Sequence, residues 1–225
     1  MTTPARRDRL VELYNEARDC HQCPLASTRT KVVFGAGNAD ADLMFVGEAP
    51  GAEEDRQGLP FVGRAGQLLN QLLGEIGLAR EDVFINNVLM CRPPGNRDPQ
   101  PSEIESCSPY LQQRIALIQP KVVATLGNFA TKLITGSPTG IMKAHGTTQV
   151  HVLGGRAVYV MPLIHPAAAL RTRSLVETLR EDFAKLPELL ATPSPQEVED
   201  ARAADEPVMA MAAAADERDQ LDLFG

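Results

Sequence analysis

The chain has 225 residues, 44% of them hydrophobic, four cysteines and a formal net charge of -7. It is long enough to bury a full core, and it has no apolar run near 18 residues and no apolar stretch after the polar start Met1–Arg9; this argues against a membrane span or a secretion signal and for a cytoplasmic protein. The charge does not exclude nucleic acid, because Thr192 to Gly225 holds nine Asp/Glu against two Arg, leaving 20 basic and 20 acidic residues in positions 1–191.

Arg7 to Asp19 carries apolar residues at Leu10, Val11, Leu13, Tyr14 and Ala17, a helical stripe that delivers the chain to Cys20. Asp42 to Gly47 reads as a strand, followed by a long loop and a helix from Arg64 to Ile76. Val83 to Leu89 is a second strand, followed by the Pro/Gly/Asn-rich loop Cys91 to Pro101. Ser102 with Glu105 reads as a capping box, which predicts a helix from Glu103 to Ile118. Lys121 to Leu126 is a third strand, Asn128 to Ile134 a helix, and Gly136 to Gly146 a loop. Val150–Leu153 and Ala157–Pro162 flank Gly154-Gly155 as a hairpin, and Ser174 to Leu190 is a final helix. Strands that read as continuous apolar runs and alternate with helices imply an α/β fold, a parallel sheet covered on both faces. Ligands of such sheets bind outside the carboxyl ends of the strands, which gathers Gly47–Gly63, Asn87–Asp98, Gly127-Asn128 and His165–Arg173 around one cleft.

The stretch Val46 to Gly66, VGEAPGAEEDRQGLPFVGRAG, holds five glycines, four carboxylates and one aromatic. The glycines let main-chain N–H groups approach a ligand, the carboxylates can position water, and Phe61 offers a flat face. The cysteines are spaced C-x2-C, a gap of 67, then C-x15-C. Zinc, an iron–sulfur cluster and unliganded core cysteines all fit that spacing. From Thr192 onward, Ala, Pro, Glu and Asp dominate, the composition of a disordered linker over 192–219, until Gln220-Leu221-Asp222-Leu223-Phe224 breaks the pattern.

GEAPG (Gly47–Gly51), PFVG (Pro60–Gly63), NNVLMCRPPGNR (Asn86–Arg97) and HPAAALR (His165–Arg171) together resemble the iron–sulfur uracil-DNA glycosylases of family 4. The resemblance covers about Arg7 to Leu190. It implies a glycosylase domain over 1–191 with a three-layer fold, a central four-stranded parallel sheet flanked by helices, acting as a monomer on uracil-containing DNA. It also implies Glu48, Asn87 and His165 as catalytic residues, with Ala49, Gly51, Glu54, Asp55 and Phe61 completing the base pocket. Phe61 would be the stacking platform, Asn87 the reader of the Watson–Crick edge, and His165 the donor that stabilises the uracil anion. The best-known uracil glycosylases place a water-positioning Asp where this chain has Ala49 and a methyl-excluding Tyr where it has Gly51; Glu48, Glu54 and Asp55 remain to orient water or offset the sugar's charge, with Glu48 favoured for the chemistry and Glu54 for shaping the pocket against a thymine methyl.

The same resemblance makes Asn96, Arg97, Leu170 and Arg171 DNA-binding residues, with Leu170 wedging into the duplex. It favours a four-iron, four-sulfur cluster on Cys20, Cys23, Cys91 and Cys107. The segment 220–225 resembles a sliding-clamp-binding peptide whose contacts would be Gln220, Leu221, Leu223 and Phe224, on a flexible tether. Two other readings use the same residues less fully: an enzyme acting on a free nucleotide or other small ligand, and a non-catalytic iron–sulfur DNA-binding module.

Overall fold

The computed structural model describes residues 4–201 and 203. Its sheet contains β1 (Ala36–Gly37), β2 (Leu43–Gly47), β3 (Phe84–Asn87), β4 (Val122–Leu126), β5 (Gln149–Leu153) and β6 (Arg156–Leu163), in the order β1-β3-β2-β4-β6-β5. The inner strands β3, β2, β4 and β6 run parallel, and β1 and β5 close the edges antiparallel. The expected four-stranded parallel sheet is therefore the centre of a wider one. The hairpin lies where Gly154-Gly155 placed it, and both glycines have positive φ (59° and 80°), as the favoured two-residue turn requires.

The helices are α1 (Pro4–Arg18), α2 (Ala52–Gln57), α3 (Arg64–Glu75), α4 (Pro101–Ile118), α5 (Asn128–Thr135), α6 (Ile141–Ala144), α7 (Pro166–Arg171), α8 (Ser174–Phe183) and α9 (Leu186–Ala191). Successive strand residues serve opposite faces. Met44, Val46, Phe84 and Val123 pack on Leu13 and Ala17 of α1 and on Leu111 and Ile115 of α4. Leu43, Phe45, Ile85 and Ala124 pack on Leu69, Leu72 and Leu73 of α3 and on Leu179 and Phe183 of α8. Each fully buried Val, Leu, Ile, Phe or Met among them contributes about 1.5–3 kcal/mol, so both helical layers are held by apolar burial. No described helix is long and apolar enough to cross a membrane.

Several expectations need correction. The cap of α4 is not Ser102 with Glu105: Gln100 is the N-cap, Pro101 takes the first helical position, and Glu103 Oε2 accepts from Gln100 N at 2.8 Å. Proline suits that position because its missing N–H would be unpaired there anyway. The long loop after β2 contains α2, the loop before β5 contains α6, and the final helix is two, α8 and α9, with α7 ahead of them. Nor is the stretch after Thr192 wholly a linker, since residues 195–201 are helical and Gln196 Oε1 accepts from Ala157 N at 3.0 Å. The peptide 220–225 lies outside the described residues.

Candidate active site

The four parallel strands end at one edge, and each hands the chain to a segment that lines a cleft of about 560 Å3. Glu48, Ala49, Gly51, Glu54 and Phe61 come from the segment after β2, Asn87 from the end of β3, and Asn96, Arg97 and Asp98 from the loop after it; Gly127 and Asn128 follow β4, and His165 and Arg171 follow β6. Of the sequence-predicted pocket residues, only Asp55 is absent from this lining. Its buried carboxylate turns away and accepts from Thr30 N at 2.9 and 3.1 Å.

Close main-chain approach builds the back wall. Gly47 and Asn87 are register partners on β2 and β3. A Cβ at Gly47 would overlap Asn87 Oδ1 and stand 2.7 Å from Phe61 Cζ, so glycine is what lets the amide and the ring meet. Asn87 Oδ1 is buried and has no hydrogen-bond partner, an acceptor left open at a cleft wall. Such a group costs about 1–3 kcal/mol, and natural proteins keep few of them without a use.

Phe61 sits in the left-handed region, φ 50°, a conformation that a bulky residue adopts only when its surroundings impose it. Glu54 Oε1 accepts from Val62 N at 3.0 Å and Gly63 N at 2.9 Å, while Arg80 donates to Phe61 O at 3.0 Å and to Pro60 O. Both side chains pin the turn that presents the ring. A Cβ at Gly51 would come within 2.7 Å of Glu54 Oε2, so the Glu54 carboxylate occupies the space that a larger residue at position 51 would need.

His165 stacks against Phe61 with centroids 5.7 Å apart. Its Nδ1 accepts from Ala167 N at 3.0 Å. A main-chain N–H can only donate, so Nδ1 carries the lone pair. Burial pulls its pKa down to about 4, helped by the positive charge of Arg171. At neutral pH the ring is thus uncharged with its proton on Nε2, a hydrogen-bond donor that needs no counter-ion. Glu48 is shifted the other way: burial raises its pKa, and the negative charge of Asp98 adds to the effect.

The DNA-contact candidates divide. Leu170 is 38% exposed and Arg171 lines the cleft. Arg97 also lines it, but its guanidinium is engaged by Glu103 at 2.6 and 2.9 Å and by Asp98 O, so it braces its own loop. Asn96 Oδ1 accepts from Arg92 Nε at 2.7 Å. Asp98 and Arg80 were missed in the sequence: Asp98 adjoins a singled-out motif and was within reach, whereas nothing local marks Arg80.

All four cysteines are free. Cys91 and Cys107 are buried in the core that Cys20 and Cys23 pack against. Burial pushes the Cys91 thiol up to about 11, opposed by Arg29, whose Nη1 lies 3.6 Å from Cys91 Sγ. Cys23 acts electrostatically on both Cys91 and Cys107, and Cys20 acts on Cys107, so the four sulfurs form one neighbourhood. Among the described residues, no three Cys, His, Asp or Glu side chains are placed to hold a single metal ion.

The family model for the uracil DNA glycosylase superfamily matches residues 34–191. The chain is 47% identical to a type-4 uracil-DNA glycosylase of Sulfurisphaera tokodaii over 191 residues, 83% of this chain and 87% of that protein. It is 44% identical to one of Archaeoglobus fulgidus, covering 83% of this chain and 96% of the relative, and 45% identical to one of Thermotoga maritima, covering 80% and 94%.

Proposed function

The chain belongs to the uracil DNA glycosylase superfamily, and on that premise we propose that its cleft receives a uracil turned out of DNA and hydrolyses the N-glycosidic bond, leaving an abasic site. It is a uracil-DNA glycosylase of DNA repair, a hydrolase of N-glycosyl bonds. The observation that carries the site reading is the buried, unpartnered Oδ1 of Asn87 in the same cleft as the Phe61 ring and a neutral His165.

Uracil lies on Phe61. Asn87 accepts from N3–H and donates to O4, a pairing that cytosine cannot satisfy, since its N3 has no hydrogen and its exocyclic N4 is a donor. His165 donates from Nε2 to O2. As the C1′–N1 bond breaks, its electron pair passes into the uracil ring and the negative charge gathers beside that donor, where a preorganised hydrogen bond lowers the barrier by about 3–4 kcal/mol. Glu48 orients the water that attacks C1′ and takes its proton. Glu54 and the Phe61 turn set the wall against a thymine methyl, while Leu170 and Arg171 hold the opened strand.

Cys20, Cys23, Cys91 and Cys107 would hold a four-iron, four-sulfur cluster. Four free thiols in one neighbourhood, with a cation beside one of them, suit a thiolate-ligated group, and a cubane is wider than the single ion for which no site is placed. The cluster would supply a covalent tie between the end of α1 and the loop and helix after β3. Its presence is read from brown absorbance and from iron and sulfide content. In the cytoplasm, where thiols stay reduced, the monomer would dock on the sliding clamp through Gln220, Leu221, Leu223 and Phe224.

The experiment is single-turnover cleavage of a labelled oligonucleotide with one uracil, alongside cytosine and thymine controls, with alkali to reveal abasic sites. Scission at uracil alone is expected. No scission by cluster-loaded protein that still binds DNA would instead make the chain a non-catalytic binding module.

A further inference from the structure

Arg114 lies on α4, seven residues after Cys107, and is 0% exposed, the largest fully buried side chain among the described residues. Its Nε donates to Tyr110 O at 3.1 Å, its Nη1 to Phe34 O and its Nη2 to Asn87 O at 3.3 Å. Its guanidinium carbon stands 5.2 Å from the centroid of the Phe34 ring. An aliphatic side chain of similar volume would fill this space without taking a charge out of water. What the cation touches therefore calls for a reason.

The register of the sheet edge supplies it. β1 pairs antiparallel with β3, Ala36 opposite Ile85 and Gly37 opposite Phe84. Continued by two residues, that register sets Phe34 opposite Asn87, but Phe34 lies outside any strand. At Gly35 the chain turns through φ 138° and packs so closely on β3 that a Cβ would stand 2.8 Å from the Phe84 ring. The carbonyls of Phe34 and Asn87, which a longer β1 would have brought into the ladder, are instead both taken by one guanidinium. The planar fork of arginine holds its donors in fixed directions that suit two such acceptors at once.

We propose that Arg114 is a positioning residue for uracil recognition. It replaces the missing strand partner at the end of β3, fixes the main chain of Asn87, and thereby sets the orientation of its carboxamide at the cleft wall. The proposal rests on the reading of Asn87 as the uracil-reading residue. It also makes α4 a direct tie between the cysteine group, through Cys107, and the base-reading residue.

The test is a double-mutant cycle on the full-length protein. Single-turnover rate at saturating DNA, DNA dissociation constant, melting temperature and iron content are measured for the wild type, Arg114→Met, Arg114→Lys, Asn87→Ala and the two double variants. Arg114→Met should lower the rate about tenfold to a hundredfold with little change in DNA affinity, and Arg114→Lys should fall between. In the Asn87→Ala background either Arg114 substitution should cost less than about twofold, because the route through Asn87 is already gone. Full additivity, or an unchanged rate in both single Arg114 variants, overturns the proposal. A wild-type rate for Asn87→Ala overturns the site reading instead. Should Arg114→Met fail to fold, the lysine variant carries the same cycle.

Discussion

The two ends of the parallel sheet surround their polar groups differently. At the amino ends, Lys121 N and Val122 N both donate to Asp42 O at 2.9 Å, Lys121 Nζ to Leu190 O at 2.6 Å, Ala157 N to Gln196 Oε1 at 3.0 Å and Tyr159 hydroxyl to Pro193 O at 3.2 Å. A hollow of about 220 Å3 lies there too, lined by Asp42, Lys121, Arg156 and Gln196, so several of these paired groups belong to its wall. At the carboxyl ends, Asn87 Oδ1 has no partner, Phe61 holds a strained φ, and Glu48 is shifted by burial. A hollow is not a site merely because it is a hollow. Each end keeps a buried polar atom without a partner, Arg6 Nε beside Gln119 of the hollow and Asn87 Oδ1 at the cleft; what separates the two ends is that at the cleft such an atom stands with a strained aromatic and a carboxylate shifted by burial.

The comparison breaks most severely if the open groups prove dispensable. Asn87→Ala and His165→Ala should each lower the single-turnover rate by about a hundredfold to a thousandfold, with melting temperature and iron content as in the wild type; rates within twofold of wild type would remove the distinction between the two ends. Gly47→Ala comes next. Its methyl must displace Asn87 or Phe61, so we expect a loss of tenfold or more in rate together with about 1–3 kcal/mol in stability by denaturant titration.

A pH profile sharpens the contrast further. As the proposed base, Glu48 would have to be ionised to take a proton, and its pKa is raised, so activity should fall, as pH drops, at a value above the ordinary carboxylate range. His165, at about 4, charges only at lower pH, so no histidine limb should appear near 6.5. Asp98→Asn removes one of the two causes of the Glu48 shift and should move the acid limb to lower pH; a limb that stays in place would mean that another group titrates. Stability follows His165 with its own sign. Its folded value lies below the unfolded one, so the unfolded chain binds the extra proton between about 6.5 and 4, and stability should decline as pH falls through that window. The smallest effect belongs to the amino ends: Gln196→Ala should cost about 1 kcal/mol in stability and leave the cleavage rate unchanged.

The strands and the cleft were legible because their signals are local. A parallel strand buried on both faces reads as an unbroken apolar run, and a Gly-rich, carboxylate-bearing segment after such a run announces a loop that must come close to something. Asp55 shows where this stops. It stands beside Glu54 in the same loop and is chemically its near equal, yet α2 sends one carboxylate to the Phe61 turn and the other to the main chain of Thr30. Arg97 is a similar case, a cation in the cleft-lining loop after β3 that a buried Glu103 holds for structural ends.

By itself the sequence determined the layered α/β architecture, the cleft edge, and the residue types that meet there, because periodicity and motif order are properties of neighbouring residues. Only the tertiary structure decided which acceptor stays unpaired, which nitrogen of His165 carries the proton, and that Arg114 closes a gap between Phe34 and Asn87. Those facts depend on groups that come together from distant parts of the chain, and on how much water the packing leaves around them.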